Sequence, residues 1–366
     1  MRFPRVKRAH DPIRFPGGRI RIGSVQYTVG AEIEDDEAGT VWRLLELLDG
    51  TRTPEEIVET MISSGASKED VRELLNDLLE TGHIEDAGAE PATGLTPAEL
   101  LRYSRNENYF KWIDTAPDRT PYELQSRLKQ SSVAVVGLGG SGSSVAMSLV
   151  AAGVGALHCV DFDDVEPSNL TRQLLYTEDD IGYPKVDRAV ARLRNLNAQT
   201  HVIGAECKIT STDDVTALLA TVDFAVLCAD VPHPDIQLWT SDAAIRTGTP
   251  WSVCFYAGPM LTTGIFVPHK TPCYWCLLRT GPSPLKADDG ATGQALYGGT
   301  DVNAALAPTA ALTGHLGALE AIYYLTGLQA QTVGRIYHQN LMVYDHCYYV
   351  DVEFDAGCRH CGGGPG

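Results

Sequence analysis

The chain has no apolar run near the roughly 20 residues a helix needs to cross a bilayer. Its most apolar stretch, 302–328, is broken by Pro308, His315 and Glu320. The first 22 residues are basic and lack the apolar core of a secretion signal. A cytoplasmic location with no membrane contact is therefore expected. Cations are scarce: 29 Lys and Arg face 47 Asp and Glu, a net charge of −18 at pH 7. Such a surface repels phosphate at long range, which excludes a general nucleic-acid partner but allows a local basic pocket. Cysteine is sparse too. The nine in this chain are an odd number without a secretory context, which argues against a disulfide framework. With 44% apolar and 21% charged residues the chain is not a disordered or low-complexity polymer, and its 366 residues suffice for two or three domains.

The N-terminal part reads as a small α+β unit. Residues 19–29 alternate around Gly23-Ser24 and predict a hairpin. Three helices follow. The first carries Val41, Trp42, Leu44, Leu45, Leu47 and Leu48 and stops at Gly50. The second opens on Thr53-Pro54-Glu55-Glu56, a capping box with proline at the first helical position. The third is capped by Ser67, aligns Val71, Leu74, Leu75, Leu78 and Leu79, and ends at Gly82. A short strand, His83-Ile84-Glu85, completes a winged-helix pattern. The acidic balance of residues 31–90 speaks against DNA. The segment 41–57, VWRLLELLDGTRTPEEI, resembles the PqqD-like module that captures leader peptides in ribosomal-peptide modification. The resemblance covers 19–86 and implies a leader held as an added strand against the hairpin. A purely structural domain is the plainer alternative. Residues 87–100 read as a linker, giving domains 1–86 and 101–366.

After the linker, the apolar run 132–136 leads into Gly137-Leu138-Gly139-Gly140-Ser141-Gly142 and a helical pattern through Ala152. Strand, glycine turn and helix let backbone amides approach phosphate oxygens at a helix N-terminus. Gly137, Gly139, Gly140 and Gly142 are the candidate contacts. A second strand, 156–160, ends in Asp161, suitably placed for ribose hydroxyls. This fingerprint alone fits an NAD(P) enzyme equally well.

Asp161-Phe162-Asp163-Asp164-Val165-Glu166-Pro167-Ser168-Asn169-Leu170-Thr171-Arg172-Gln173 resembles the D-x-D-x-V-x-x-S-N-L-x-R-Q segment of the ThiF/MoeB superfamily of ubiquitin-activating-like adenylyltransferases. Gly182-Tyr183-Pro184-Lys185 matches its G-x-P-K element, Cys228-Ala229-Asp230 its strand-end aspartate, and Arg102-Tyr103-Ser104-Arg105-Asn106 its R-Y-x-R-Q segment, with Asn106 for Gln. The resemblance implies a Rossmann-like α/β fold with a doubly wound, mainly parallel sheet over 101–366. It also implies ATP with Mg2+ as cofactors, and a homodimer in which Arg105 acts as an arginine finger on the partner subunit's ATP. Asp161, Asp163, Asn169, Arg172 and Lys185 are the expected nucleotide ligands. Physically, Asn169, Arg172 and Lys185 supply donors on an otherwise acidic protein, and Asp230 offers Mg2+ a carboxylate.

Cys273-x-x-Cys276 and Cys358-x-x-Cys361 are two knuckles whose four thiolates predict a closed, structural zinc site. The other five cysteines read as structural. No cysteine occurs between 277 and 346, so a thioester near Thr300, where the resemblance would place it, is not expected. The stretch 281–300, rich in Gly, Ser and Pro, reads as a loop.

The expected reaction is attack of a substrate carboxylate on the α-phosphorus of ATP, giving an acyl adenylate and pyrophosphate. The PqqD-like resemblance points to a carboxylate on a precursor peptide as substrate. The rivals are activation of a ubiquitin-like sulfur carrier's C-terminal glycine and a non-enzymatic leader-binding partner of an azoline cyclodehydratase.

Overall fold

The computed structural model describes residues 1–24, 29–90, 94–117, 119–120, 122–281 and 304–362. The chain divides into two compact units, Met1–Arg127 and Leu128–Gly366.

In the first unit, β1 (Pro4–Val6) pairs antiparallel with β5 (Ile84–Asp86), Pro4 opposite Asp86. A second sheet has the order β2–β3–β4: β2 (Ile13–Arg14), β3 (Arg19–Ser24) and β4 (Val29–Glu34). The expected hairpin is present, but Gly23 and Ser24 are not its turn. They continue β3 and pair with Gly30 and Val29, so the connection falls at 25–28, outside the described residues. Helices α1 (Thr40–Leu47), α2 (Pro54–Ser63) and α3 (Lys68–Glu80) follow. The Thr53–Glu56 capping box closes as expected: the Glu56 amide donates to Thr53 Oγ1 at 3.3 Å and the Thr53 amide to Glu56 Oε2 at 2.8 Å. The apolar faces of the three helices meet Ile20, Ile22 and Ile84 in one core. Gly50 does not cap α1, whose C-cap is Leu48. Its φ of +83° and a would-be Cβ 2.6 Å from Ala87 Cβ instead let it pass beside β1. A second capping box, Thr96 with Glu99, starts α4 (Pro97–Arg102) inside the stretch read as a linker, and α5 (Ser104–Ile113) comes next. The helix α6 (Glu123–Gln130) runs through the division between the units.

The second unit is built on an eight-stranded sheet. Its parallel half has the order β8–β7–β6–β9–β10, from β6 (Ser132–Val136), β7 (Ala156–Asp161), β8 (His201–Glu206), β9 (Phe224–Leu227) and β10 (Trp251–Ala257). The antiparallel extension is β11 (Met260–Phe266), β12 (Arg335–Asn340) and β13 (Cys347–Asp351). Both faces are covered, which explains why strands such as SVAVV read as unbroken apolar runs. Val133 and Val135 point into one core with α7 (Gly140–Ala152), α8 (Lys185–Leu196) and α12 (Ala307–Thr326). Ala134 and Val136 point into the other, with α9 (Thr212–Leu219), α10 (Asp235–Thr247) and α11 (Tyr274–Thr280). Helices α7 and α12 approach closely because Gly314 leaves room for the α7 backbone: a Cβ there would lie 2.6 Å from Ser144 Cβ.

Cys159 and Cys254 are buried in β7 and β10, and Cys228 follows β9 by one residue. Cys207 and Cys347, read as structural, are exposed. Thr300 and all of the expected loop beyond Gly281 lie outside the described residues. Among the described residues no helix is long and apolar enough to cross a membrane.

Candidate functional site

Strand order reverses between β6 and β9, because β6 continues to β7 on one side and neighbours β9 on the other. In open α/β sheets that switch point leaves a crevice beyond the strands' carboxyl ends. The glycine turn after β6 and Asp230 after β9 flank it. Two bonds seam them together: the amides of Cys228 and Ala229 donate to the Val136 carbonyl at 2.8 and 3.0 Å. Gly137 needs its φ of +88° here, and a Cβ would lie 2.7 Å from the Ala229 nitrogen.

Helix α7 starts at N-cap Gly139, with no side-chain cap and no acid in its first turn, so its leading amides and positive end suit an anion. Above Gly139 the space is open, the nearest atom to a would-be Cβ being Gln173 Nε2 at 3.8 Å. Gln173 is buried, and its Oε1 has no hydrogen-bond partner. An uncapped helix end, an open cradle and an orphaned buried acceptor fit a polar ligand such as a nucleotide.

Asp161 ties the turn to β7. Its Oδ2 accepts the Leu138 amide at 2.6 Å and its Oδ1 the Asp163 amide at 2.9 Å. Each oxygen keeps a lone pair for a further donor. Asp163 in turn meets Lys185, whose buried ammonium lies 2.9 Å from its Oδ2, while the Lys185 amide donates to the Asp163 carbonyl. Asn169 is buried in a tight helical turn, Pro167–Thr171, where its Oδ1 accepts the Glu166 amide at 3.1 Å. Arg172 follows that turn. Its Nε donates to Tyr256 Oη at 3.2 Å and its Nη1 to the Ser168 carbonyl at 3.1 Å. Asp230 is exposed.

The structure thus gathers Gly137, Gly139, Gly140, Gly142, Asp161, Asp163, Lys185 and Asp230 around the switch point, and Tyr256 bonds Arg172 beside Gly140. Arg105 belongs to the first unit, exposed on α5. Two tyrosines that no sequence motif marks also line the site: Tyr256, whose oxygen would lie 2.9 Å from a Cβ on Gly140, and Tyr176, whose buried hydroxyl donates to the Leu138 carbonyl at 3.1 Å. Burial pushes the Tyr256 phenol above its ordinary pKa against the pull of the Arg172 guanidinium, and the Asp230 charge adds to the rise.

The two cysteine knuckles meet. Cys273 Sγ lies 3.8 Å from Cys276 Sγ and 3.7 Å from Cys358 Sγ, and Cys276 Sγ lies 3.5 Å from Cys361 Sγ. All four sulfurs lie within 4.8 Å of one another. A zinc with bonds of about 2.3 Å sets tetrahedral sulfur edges of about 3.8 Å, so the set fits that ion. Asp242 braces both knuckles: its Oδ1 accepts Trp275 Nε1 at 3.0 Å and lies 2.8 Å from His360 Nδ1, with the two rings stacked at 4.2 Å.

The strand order and the glycine turn at its reversal define a doubly wound α/β protein with a dinucleotide-type crevice. The ThiF family profile matches residues 113–359, and the chain belongs to the ThiF family. Among its relatives, the sulfur carrier protein adenylyltransferase of Thermus thermophilus is 35% identical over 257 residues, covering 68% of this chain and 84% of that protein. The molybdopterin-synthase adenylyltransferase of Escherichia coli is 29% identical over 282 residues, 73% of this chain and 98% of that one. The match spans only 47% of the ThiS adenylyltransferase of Bacillus subtilis and 42% of the Arabidopsis thaliana protein MOCS3. Among solved structures, E. coli MccB with MccA-N7isoAsn has the same fold, with a TM-score of 0.80 at 21% identity over 98% of this chain and 99% of that one. PaaA matches with a TM-score of 0.69 at 25% identity, over 94% of this chain and 99% of that one.

Proposed function

We propose that this chain is an ATP-dependent adenylyltransferase that activates a carboxylate of a ribosomally made precursor peptide. The observation that carries the reading is the extent of the fold likeness. It spans 98% of this chain against MccB, a microcin C7 biosynthetic enzyme seen with ATP and with N-formylated MccA, and so reaches well beyond the 113–359 family segment. Residues 1–86 would then be a PqqD-like winged-helix module that holds the leader, and 101–366 the adenylating domain after the 87–100 linker.

In this reading the α7 amides and the glycine turn hold the phosphates. Asp161 takes the ribose hydroxyls through its remaining lone pairs, and Asp163 and Asn169 complete the nucleotide contacts. Arg172 and Lys185 neutralise charge that builds on the phosphates as the leaving group departs, and Arg105 of a second copy adds to them in a homodimer. Asp230 would hold Mg2+ by one carboxylate, and a bound Mg2+ would supply further positive charge to the phosphates. Cys273, Cys276, Cys358 and Cys361 would hold zinc, which would tie the C-terminal knuckle to α11. The substrate carboxylate oxygen forms a bond to the α-phosphorus while the bond to pyrophosphate breaks. A carboxylate is already an anion at neutral pH, so positioning and charge stabilisation suffice without a general base.

A second reading, activation of a sulfur carrier's C-terminal glycine, is favoured by the 35% identity to the Thermus protein. ATP–pyrophosphate exchange separates the two. Exchange supported by a precursor peptide encoded beside the gene is the expected result, and exchange only with a di-glycine-ended carrier would replace the first reading with the second.

A further inference from the structure

We infer that Tyr256 is a positioning residue for Arg172, its hydroxyl fixing the guanidinium beside the glycine turn so that incoming phosphates meet an arginine already in place. The inference rests on the nucleotide reading above and deepens it.

Tyr256 stands near the end of β10, opposite Leu261 in the antiparallel register, and Arg172 stands 84 positions earlier in the loop after β7. Nothing local joins them. The phenol oxygen does, accepting Arg172 Nε at 3.2 Å while lying 2.9 Å from where a Gly140 side chain would begin. The hydroxyl thus bonds the arginine in the space that the missing side chain of Gly140, the first residue of α7, leaves open. The Ser168 carbonyl supplies a second anchor through Nη1. Held at two points, the guanidinium keeps three of its five N–H donors for a ligand. A free arginine would have to give up its rotamer freedom when the ligand arrives, and the anchored one has done so already.

Packing alone does not account for a tyrosine here. A phenylalanine would keep the ring without leaving a half-buried hydroxyl to satisfy. The neutral phenol accepts from Arg172 through its oxygen, while its own proton, without an acceptor among the described residues, stays available to an anionic oxygen.

The test is a double-mutant cycle on the full-length chain, with Mg2+ and α,β-methylene-ATP as the titrated probe in a calorimeter. Loss of one hydrogen bond to a charged group predicts that Tyr256→Phe weakens binding by about 10-fold or more at an unchanged melting temperature. In an Arg172→Ala background the same change is expected to cost less than about twofold, because its target is gone. A Tyr256→Phe chain that binds like wild type, or losses that multiply in the double variant, overturns the inference alone. A wild-type chain that binds no analogue overturns the nucleotide reading and the inference together. An independent readout is the Arg172 Nε–H signal in 15N-arginine-labelled protein, assigned by its absence in Arg172→Lys. It is expected to exchange slowly with water in wild type and fast in Tyr256→Phe, and equal rates would contradict the bond.

Discussion

Gly139 and Gly142 stand three residues apart in one turn, yet alanine is expected to act differently at each. At Gly142 a Cβ would lie 2.8 Å from the Gly137 carbonyl carbon, closer still to its oxygen, and 3.2 Å from Cys228 Cβ. The Gly137 carbonyl cannot yield without opening the turn, which is held by the Asp161–Leu138 bond and the Val136 seam. Overpacking of this kind costs about 1–3 kcal/mol, or a fall of about 2–4 °C in melting temperature for each kcal/mol in a domain of this size. At Gly139 the backbone φ is −71°, which any residue adopts, and the nearest atom to a Cβ is 3.8 Å away. Gly139→Ala is therefore expected to melt within about 0.5 kcal/mol of wild type. Its methyl group nevertheless stands in the cradle above the helix end, and a displacement of about 1 Å in the reacting groups costs about 100-fold in rate. Thermal unfolding and Mg2+·ATP titration of the two variants separate the effects. Gly139→Ala should be stable but weakly binding, Gly142→Ala both unstable and weakly binding. Wild-type ATP affinity in Gly139→Ala would refute the cradle, and wild-type melting in Gly142→Ala would refute the packing argument.

Removal of zinc by a strong chelator, or Cys358→Ser, is expected to lower the melting temperature of the second unit, since the four sulfurs would lose the ion that holds the 358–361 knuckle to α11; an unchanged melt with confirmed metal loss would contradict this. Burial next to His83 and Lys7 lowers the pKa of His10 to about 4, while an unfolded histidine titrates near 6.5. The unfolded chain thus binds the proton first, so stability is full above pH 6.5 and is lost as pH falls through the window down to about 4. The loss approaches about 3 kcal/mol for this nearly fully buried ring, and His10→Phe should flatten that part of the urea-unfolding pH profile of the first unit. Lys185→Met is expected to keep the fold but reduce ATP–pyrophosphate exchange by more than about 100-fold, with Lys185→Arg recovering only part of it; full exchange in Lys185→Met would remove that residue from the site.

Much of the second unit is legible because its signals are local. The run 132–136, the glycine turn and the helix to Ala152 occupy the positions read from the sequence, since a covered parallel strand must be apolar throughout and a phosphate turn must be glycine-rich. The Thr53 capping box is equally local. The same signal at Thr96-Pro97-Ala98-Glu99 is masked by its Ala, Gly and Pro-rich surroundings, so the first turn of α4 reads as linker. What the sequence hid is tertiary. The pairing of β1 with β5 joins residues 80 apart, and the three antiparallel strands beyond β10 carry mixed polar and apolar residues without a clear period. From the sequence Asp161 reads as a ribose ligand, and its geometry also makes it the clasp of the glycine turn. Tyr256 carried no motif at all, because only the strand register brings it to Arg172.

The most direct measurement is calorimetric titration of Mg2+·ATP into the full-length chain, beside Arg172→Ala and Asp230→Ala. A saturable heat is expected in wild type, weakened at least about 10-fold but still measurable in both variants while their melting curves stay in place. No heat with ATP, or a saturable heat with NAD+ in its place, would contradict this.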